Sequence, residues 1–222
     1  SSDVCSSDLN GLLLKINNQE LWVKLIGRFN AYNLLAIYGA ADLLGLETLN
    51  TLQLMSELES VEGRFQYLIS KKNITAIVDY AHTPDALKNV LETINTIRTK
   101  NEELITVVGC GGDRDISKRP KMGAIAAALS TKVIFTSDNP RNENPVTIID
   151  AIEKGVPGEY FSKTISISDR KQAIKAACQL ANEGDIILIA GKGHETYQEI
   201  KGERFGFDDF KIINELLKAL NK

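Results

Sequence analysis

Four short polar stretches in this 222-residue chain carry side chains able to do chemistry, and each directly follows an apolar run. The first is Asp79-Tyr80-Ala81-His82-Thr83-Pro84. An aspartate there can accept hydrogen bonds from sugar hydroxyls, and the histidine can meet a base or a phosphate. The same residues also read as a plain helix start, with Thr83 as cap and Pro84 in the first helical position. The second is Gly109-Cys110-Gly111-Gly112-Asp113-Arg114-Asp115, running on to Lys118-Arg119-Pro120. Its glycines let backbone approach a ligand and turn amide N–H groups towards an anion. It matches neither GxGxxG nor GxxxxGK[ST], and a tight strand-to-helix turn is the alternative. The third, Ser137-Asp138-Asn139-Pro140-Arg141, holds an arginine on a proline-stiffened loop, where a guanidinium can clamp a carboxylate through two parallel bonds. The fourth, Gly191-Lys192-Gly193-His194-Glu195, combines two glycines with a lysine, a histidine and an acid. Surface turns remain the alternative for the last two. The chain has two histidines, His82 and His194, and both fall on these stretches. Cys110 has no base nearby in sequence and reads as a small packing residue.

Positioning such loops is the work of the elements around them. Near-continuous apolar runs such as Leu104–Val108 and Ile186–Ala190 suit parallel strands covered on both faces. Further strands are predicted at Phe65–Ile69, Thr75–Val78, Lys132–Thr136 and Thr164–Ile167. Helices are predicted from Pro84, Lys121, Pro145 and Arg170, with a last one near Asp208–Leu220. Strand–helix alternation of this kind predicts an α/β, Rossmann-like doubly wound domain, with its functional groups at the carboxyl ends of the strands. Upstream, Leu12–Ile16 and Leu21–Leu25 flank Asn17-Asn18 as a hairpin. Asn30 stands as N-cap of a helix ended by Gly45, and a short helix is expected over Leu52–Leu58. Four serines in the first eight residues read as a disordered tail or artefact. The expected division is therefore residues 1–9 as tail, 10–60 as the end of a larger domain, and 61–222 as a domain with its own core.

Composition removes whole classes of function. Lys and Arg total 26 against 29 Asp and Glu, a net charge of −3, which gives no electrostatic reason for a nucleic acid or an anionic membrane as partner. No apolar run approaches the ~18–20 residues of a bilayer span. Three cysteines (Cys5, Cys110, Cys178) build no disulfide framework, and none has metal-ligand spacing. A cytoplasmic protein, monomeric and without a metal site of its own, is the expectation.

Taken in order, Gly27–Asn33, Gly63-Arg64-Phe65, Asp79–Pro84, Gly109–Pro120, Asp138–Arg141 and Gly191–Glu195 resemble the motifs of the Mur ligases over essentially residues 10–222. The resemblance implies an ATP-dependent amide-bond ligase of peptidoglycan synthesis. ATP with Mg²⁺ phosphorylates a carboxylate of a UDP-MurNAc-dipeptide, and an incoming amine, here meso-diaminopimelate, attacks the acyl phosphate. It also implies that residues 61–222 form the C-terminal, amino-acid-binding domain and residues 10–60 the end of the central ATPase domain. By the same resemblance Asn30, Asn33, Arg64, Asp79 and His82 face ATP, with Asn33 towards the adenine, Arg64 towards phosphates and Asp79 on the ribose. Arg114, Asp138, Asn139, Pro140, Arg141, Gly191 and Glu195 form the amino-acid pocket, with Arg141 for the distal carboxylate and Glu195 for the ammonium.

One departure from the family pattern matters. The sequence contains no GxxxxGK[ST] phosphate loop, nor the family's first domain or its carbamylated lysine, so no catalytic residue is assigned and the chain alone is expected not to turn over. The alternatives are a related ligase for another amine, as in lysine-adding, folylpolyglutamate or cyanophycin enzymes, or an amino-acid-binding module without catalysis. The Asp138–Arg141 loop speaks against lysine, because a fixed arginine would lack a partner.

Overall fold

The computed structural model describes residues 2–8, 11–99 and 101–222, with backbone alone for 2–8 and Arg28. It divides into two compact units, Ser1–Val61 with Thr93–Arg98, and Glu62–Glu92 with Thr99–Lys222.

In the first unit, β1 (Ser2–Asp8), β2 (Gly11–Ile16) and β3 (Gln19–Val23) form an antiparallel sheet in the order β1-β2-β3. Asn17 and Asn18 turn the β2–β3 hairpin with φ of 48° and 67°, the left-handed values such a tight turn needs. The serine-rich opening, expected as a disordered tail, instead supplies β1. Pairing uses backbone N–H and C=O groups that every residue carries, so a stretch without side-chain periodicity can still extend a sheet. Ser1, Leu9 and Asn10 lie outside the described residues. Helix α1 (Arg28–Leu43) starts two residues before the expected cap: Gly27, at φ 92°, is its N-cap, and Asn30 sits in the first turn. Gly45, at φ 74°, follows the C-cap Leu44, and Leu46 N–H closes the end on Ala41 O at 3.0 Å. Helix α2 (Thr48–Ser56) begins earlier than expected because Glu47 caps it, accepting from the N–H groups of Leu49 and Asn50. Leu12, Leu14, Leu21, Val23, Leu34, Leu52 and Met55 make this unit's core.

The second unit is a six-stranded sheet in the order β4-β5-β9-β6-β7-β8. Its strands are β4 (Gln66–Ile69), β5 (Thr75–Asp79), β6 (Leu104–Val108), β7 (Lys132–Phe135), β8 (Thr164–Ser166) and β9 (Ile186–Ala190). Only the edge strand β4 runs antiparallel. Every residue of β5, β6 and β9 is buried, as the apolar runs predicted. The connecting helices are α3 (Pro84–Ile97), α4 (Lys118–Leu129), α5 (Pro145–Glu153) and α6 (Arg170–Leu180), with a 3₁₀ turn at Gly158–Lys163; α7 (Asp209–Ala219) closes the chain. Helix α4 begins three residues before the predicted Lys121, since Pro120 falls in a first turn that needs no donor from it. Ala173, Ile174, Ala177 and Cys178 of α6 and Ile213 and Leu217 of α7 pack on Ile105, Val107, Ile187 and Ile189 of the sheet.

Topology sets the site. The chain runs β5, β6, β7, β8 outward across the sheet, then α6 carries it back so that β9 inserts between β5 and β6. Four strand ends, those of β5, β9, β6 and β7, therefore stand side by side, and each leads into one of the four polar stretches. A two-stranded ribbon, β10 (Tyr197–Ile200) and β11 (Glu203–Gly206), was not foreseen.

Cys110 and Cys178 are both buried free thiols, and burial pushes each pKa up to about 12. At pH 8 the thiolate fraction is then roughly 10⁻⁴. In a Cys5→Ser background, Ellman's reagent is expected to leave both unlabelled in native protein and to titrate both in guanidinium. Rapid native labelling of Cys110 would restore it as a candidate nucleophile.

Candidate amino-acid-binding cleft

The four strand-end loops enclose a cleft of about 530 Å³, whose lining includes His82, Arg114, Asp138, Asn139, Arg141, Gly191 and Glu195. These are seven of the residues expected from sequence. Tyr80, Asp115, Lys118 and Tyr197 join them.

One wall is the Asp138–Arg141 loop. Asn139 N–H bonds to Asp138 Oδ1 at 2.6 Å, which folds the aspartate back on its own loop. Arg141 adopts φ 50° and is stitched to the β10–β11 ribbon: its N–H donates to Glu199 O at 3.0 Å, and its carbonyl accepts from Lys201 N–H at 2.7 Å. Its Nη1 donates to Gly112 O at 2.8 Å, and its Nε lies 3.5 Å from Glu199 Oε2. Arg141 is thus aimed by two neighbours and already has an acidic one. Pro140 is buried and stays off the cleft surface; its carbonyl accepts from Glu143 N–H at 3.0 Å.

The facing loop, Gly109–Asp115, packs against this one without room for a side chain. A Cβ on Gly112 would stand 2.0 Å from Pro140 O, and Gly112 N–H bonds to Asn139 O at 2.9 Å. Arg119, 2% exposed, braces the loop from α4 by a two-pronged bond to Glu143, at 2.9 and 2.8 Å, and by a 3.4 Å bond to Gly111 O. That guanidinium and the N–H of Asp113 hold the Glu143 carboxyl below its ordinary pKa. Arg114 is exposed at the rim and has no hydrogen bond or ion pair among the described residues.

The floor comes from the loop after β9. Gly191 has φ 117°, and a Cβ there would meet Asp138 Oδ2 at 2.6 Å. Beneath it, Arg170 of α6 and Asp209 of α7, both with side chains 0% exposed, pair through bonds of 2.9 and 2.8 Å. Arg170 also donates to Ala190 O at 3.1 Å and to Ser137 O at 3.3 Å, tying the ends of β9 and β7 together. Burial pushes the Arg170 pKa down, but the charge and hydrogen bonds of Asp209, with the charges of Asp138 and Glu195, together outweigh it and keep the guanidinium ionised.

The expected nucleotide residues fall into two groups. In the second unit, Asp79 is buried and accepts from Phe65 N–H at 2.7 Å and Ala81 N–H at 2.8 Å, so it fixes its own loop. Burial raises its pKa, against the pull of those two N–H groups. Arg64 lies 4.5 Å over the Tyr80 ring, and His82 and His194 sit 4.6 and 5.1 Å from the same ring. Thr83 also behaves as the plain reading supposed, accepting from Ala86 N–H at 3.3 Å. In the first unit, Asn33 donates to Asn30 Oδ1 at 3.2 Å and Asn30 to Ile26 O at 2.8 Å.

Sequence reasoning placed Lys192 on one of the four loops without giving it a role, and missed Tyr197, Glu199, Arg170 and Asp209 as site-builders. For the ribbon a signal existed: Lys201-Gly202, at φ 51° and 80°, is a two-residue turn between strands. Its strands are charged and largely exposed, so no apolar alternation betrayed them.

The family described as Mur ligase, glutamate ligase domain, matches residues 63–193. The chain belongs to that family. This Mur ligase chain is 56% identical over 217 residues to a UDP-N-acetylmuramoyl-L-alanyl-D-glutamate–2,6-diaminopimelate ligase of Cytophaga hutchinsonii, covering 98% of the chain and 44% of the relative. It is 47% identical over 205 residues to the ligase of the same name in Bacillus velezensis, covering 92% and 41%. A solved structure of a ligase so named superposes with a TM-score of 0.72 at 37% identity, over 99% of this chain and 45% of that one. A folylpolyglutamate synthase from Thermotoga maritima shares the fold at 18% identity and a TM-score of 0.66. The chain spans less than half the length of the curated relatives it matches.

Proposed function

We propose that this Mur ligase chain is the amine-binding part of an ATP-dependent ligase that joins meso-diaminopimelate to UDP-MurNAc-L-Ala-D-Glu. The observation that carries the reading is the cleft's charge pattern. A loop-fixed guanidinium, Arg141, stands on the same cleft as two carboxylates, Asp138 and Glu195. Diaminopimelate carries an ammonium and a carboxylate at its far end, and such a pair needs both signs in one pocket. The names of the relatives agree with it.

In this reading Arg141 takes the distal carboxylate, with Gly112 O and Glu199 keeping its fork in place. Glu195 and Asp138 take the ammonium, Asn139 and Gly191 shape the pocket, and Arg114 guards the rim. The fixed end leaves the other amine to be presented to an acyl phosphate, so the residues act by positioning. Arg64 and His82 of the second unit are assigned to ATP, with Asp79 bracing their loop, and Asn30 and Asn33 of the first unit are assigned to ATP separately. Among the described residues no set of three His, Cys, Asp or Glu side chains is placed to cage a metal ion.

Residues 10–60 read as the end of the ATP-binding domain. Leu43, Leu44, Leu49 and Leu54 are 90, 78, 62 and 59% exposed, an apolar surface that suits a piece of a larger domain. Cytoplasmic location and a monomeric state belong to the same proposal; no described helix is long and apolar enough to cross a membrane.

The test is turnover. With ATP, Mg²⁺, meso-diaminopimelate and UDP-MurNAc-dipeptide, the longer protein that carries this chain is expected to form the amide and release phosphate. The 222-residue chain alone, without a GxxxxGK[ST] loop, is expected to release none above background. Sustained phosphate release by the chain alone, or no amide from the longer protein, would overturn the reading.

A further inference from the structure

Lys192 has no assigned part in the cleft, yet its side chain is 0% exposed. Its neighbours Gly191 and Gly193, at φ 117° and 52°, would suit a flexible surface turn, and a lysine in such a turn would ordinarily reach for water. Here it points inward. A buried ammonium persists only where acceptors replace its hydration, and both acceptors are cleft residues. Lys192 Nζ donates to Asn139 Oδ1 at 2.9 Å and to Glu195 Oε2 at 3.0 Å. Asn139 Nδ2 closes the triangle on Glu195 Oε2 at 2.8 Å.

Two consequences follow. Asn139 Oδ1 receives two donors, Lys192 Nζ and Glu199 N–H at 3.0 Å. A flipped amide would set its NH₂ against both, so the lysine and the Glu199 N–H together fix which way the amide faces. Glu195 Oε2 is filled by Lys192 and Asn139, while Oε1 makes no hydrogen bond among the described residues. One oxygen anchors the carboxylate and the other is left for a ligand. Sequence spacing pairs Lys192 and Glu195 at i, i+3; it gives no hint that Asn139, 53 residues away, completes the triangle.

We propose that Lys192 is a positioning residue that orients Asn139 and Glu195 for the ligand's distal ammonium, a role that rests on the functional reading above. It does not touch the reacting atoms. Methionine at 192 keeps an unbranched chain of similar length and removes both donors.

The experiment has two arms. In the crystal structure of the Lys192→Met chain, the Asn139 amide and the Glu195 carboxylate are expected to leave their present positions while Arg141 and Asp138 keep theirs. In the longer enzyme, Lys192→Met is expected to raise the KM for meso-diaminopimelate by about 20-fold or more, to change kcat by less than about 3-fold and to leave the KM for ATP within about 2-fold. A double variant with Glu195→Gln is expected to be little worse than Glu195→Gln alone, because Lys192 acts on the ammonium through that carboxylate. The proposal is overturned if Asn139 and Glu195 stay in place in the crystal, if the two substitutions multiply, or if kcat and both KM values fall or rise together. If the unsubstituted enzyme forms no amide with meso-diaminopimelate, the functional reading fails by itself, and the crystallographic arm still decides whether Lys192 orients its two partners.

Discussion

Arg141→Ala in the full enzyme is expected to raise the KM for meso-diaminopimelate by about 30- to several-thousand-fold and to leave the KM for ATP nearly unchanged. Truncating one partner of a shielded, hydrogen-bonded charge pair typically costs ~2–5 kcal/mol. Here the Arg141 side chain is 19% exposed, so its pair with a bound carboxylate would be largely shielded. The neighbour makes matters worse. Glu199 stays behind, and in the absence of the guanidinium 3.5 Å away it would face the ligand's carboxylate as a like charge. L-lysine lacks that carboxylate, so it should be a poor substrate of the unmutated enzyme and lose little more in the variant. Arg141→Lys is expected to recover only part, since an ammonium keeps the charge without the planar fork. The comparison needs kcat/KM for both amino acids with all three proteins. Equal losses for the two amino acids would show that Arg141 does not bind the distal carboxylate.

The second large effect is on stability. Asp209→Ala should cost the second unit ~3–5 kcal/mol, the usual penalty for leaving a buried charge without its partner. Arg170 would keep only carbonyl acceptors, Ala190 O and Ser137 O, at 0% exposure. For a domain of this size that is a fall in Tm of roughly 6–20 °C. Replacing both residues, Arg170→Met with Asp209→Leu, is expected to recover much of the loss, because an apolar pair of similar volume needs no solvation. Thermal melts of the three proteins decide it. A loss below about 1 kcal/mol for Asp209→Ala would mean that the ion pair does not hold the two strand ends.

The sheet was legible because its physics is local. Val, Ile and Leu runs at Leu104–Val108 and Ile186–Ala190 can only be strands covered on both faces, and polar residues at their ends had to reach one edge of the sheet. Which loops would touch was not legible, because that depends on β9 entering between β5 and β6. Helix starts slipped where a backbone or acidic cap outranked the residue favoured by pattern, as Gly27 did over Asn30 and Glu47 over Leu52. The supporting cations Arg119, Arg170 and Lys192 look like surface residues in sequence. Their burial follows from partners far along the chain, Glu143 for Arg119, Asp209 for Arg170 and Asn139 for Lys192, at separations of 24, 39 and 53 residues that no periodicity reveals. Asp79 shows the same limit: nothing in the sequence says that its two oxygens accept from Phe65 and Ala81 N–H and so fix their own loop.

The most direct measurement is a crystal structure of the chain with meso-diaminopimelate bound. The expected result is a distal carboxylate within about 3.2 Å of the Arg141 guanidinium, the hydrogen-bond limit, with the adjacent ammonium on Glu195 Oε1 and Asp138 and the other amine pointing out of the cleft. A ligand bound with no contact to Arg141, or bound outside the cleft between the strand-end loops, would contradict the account.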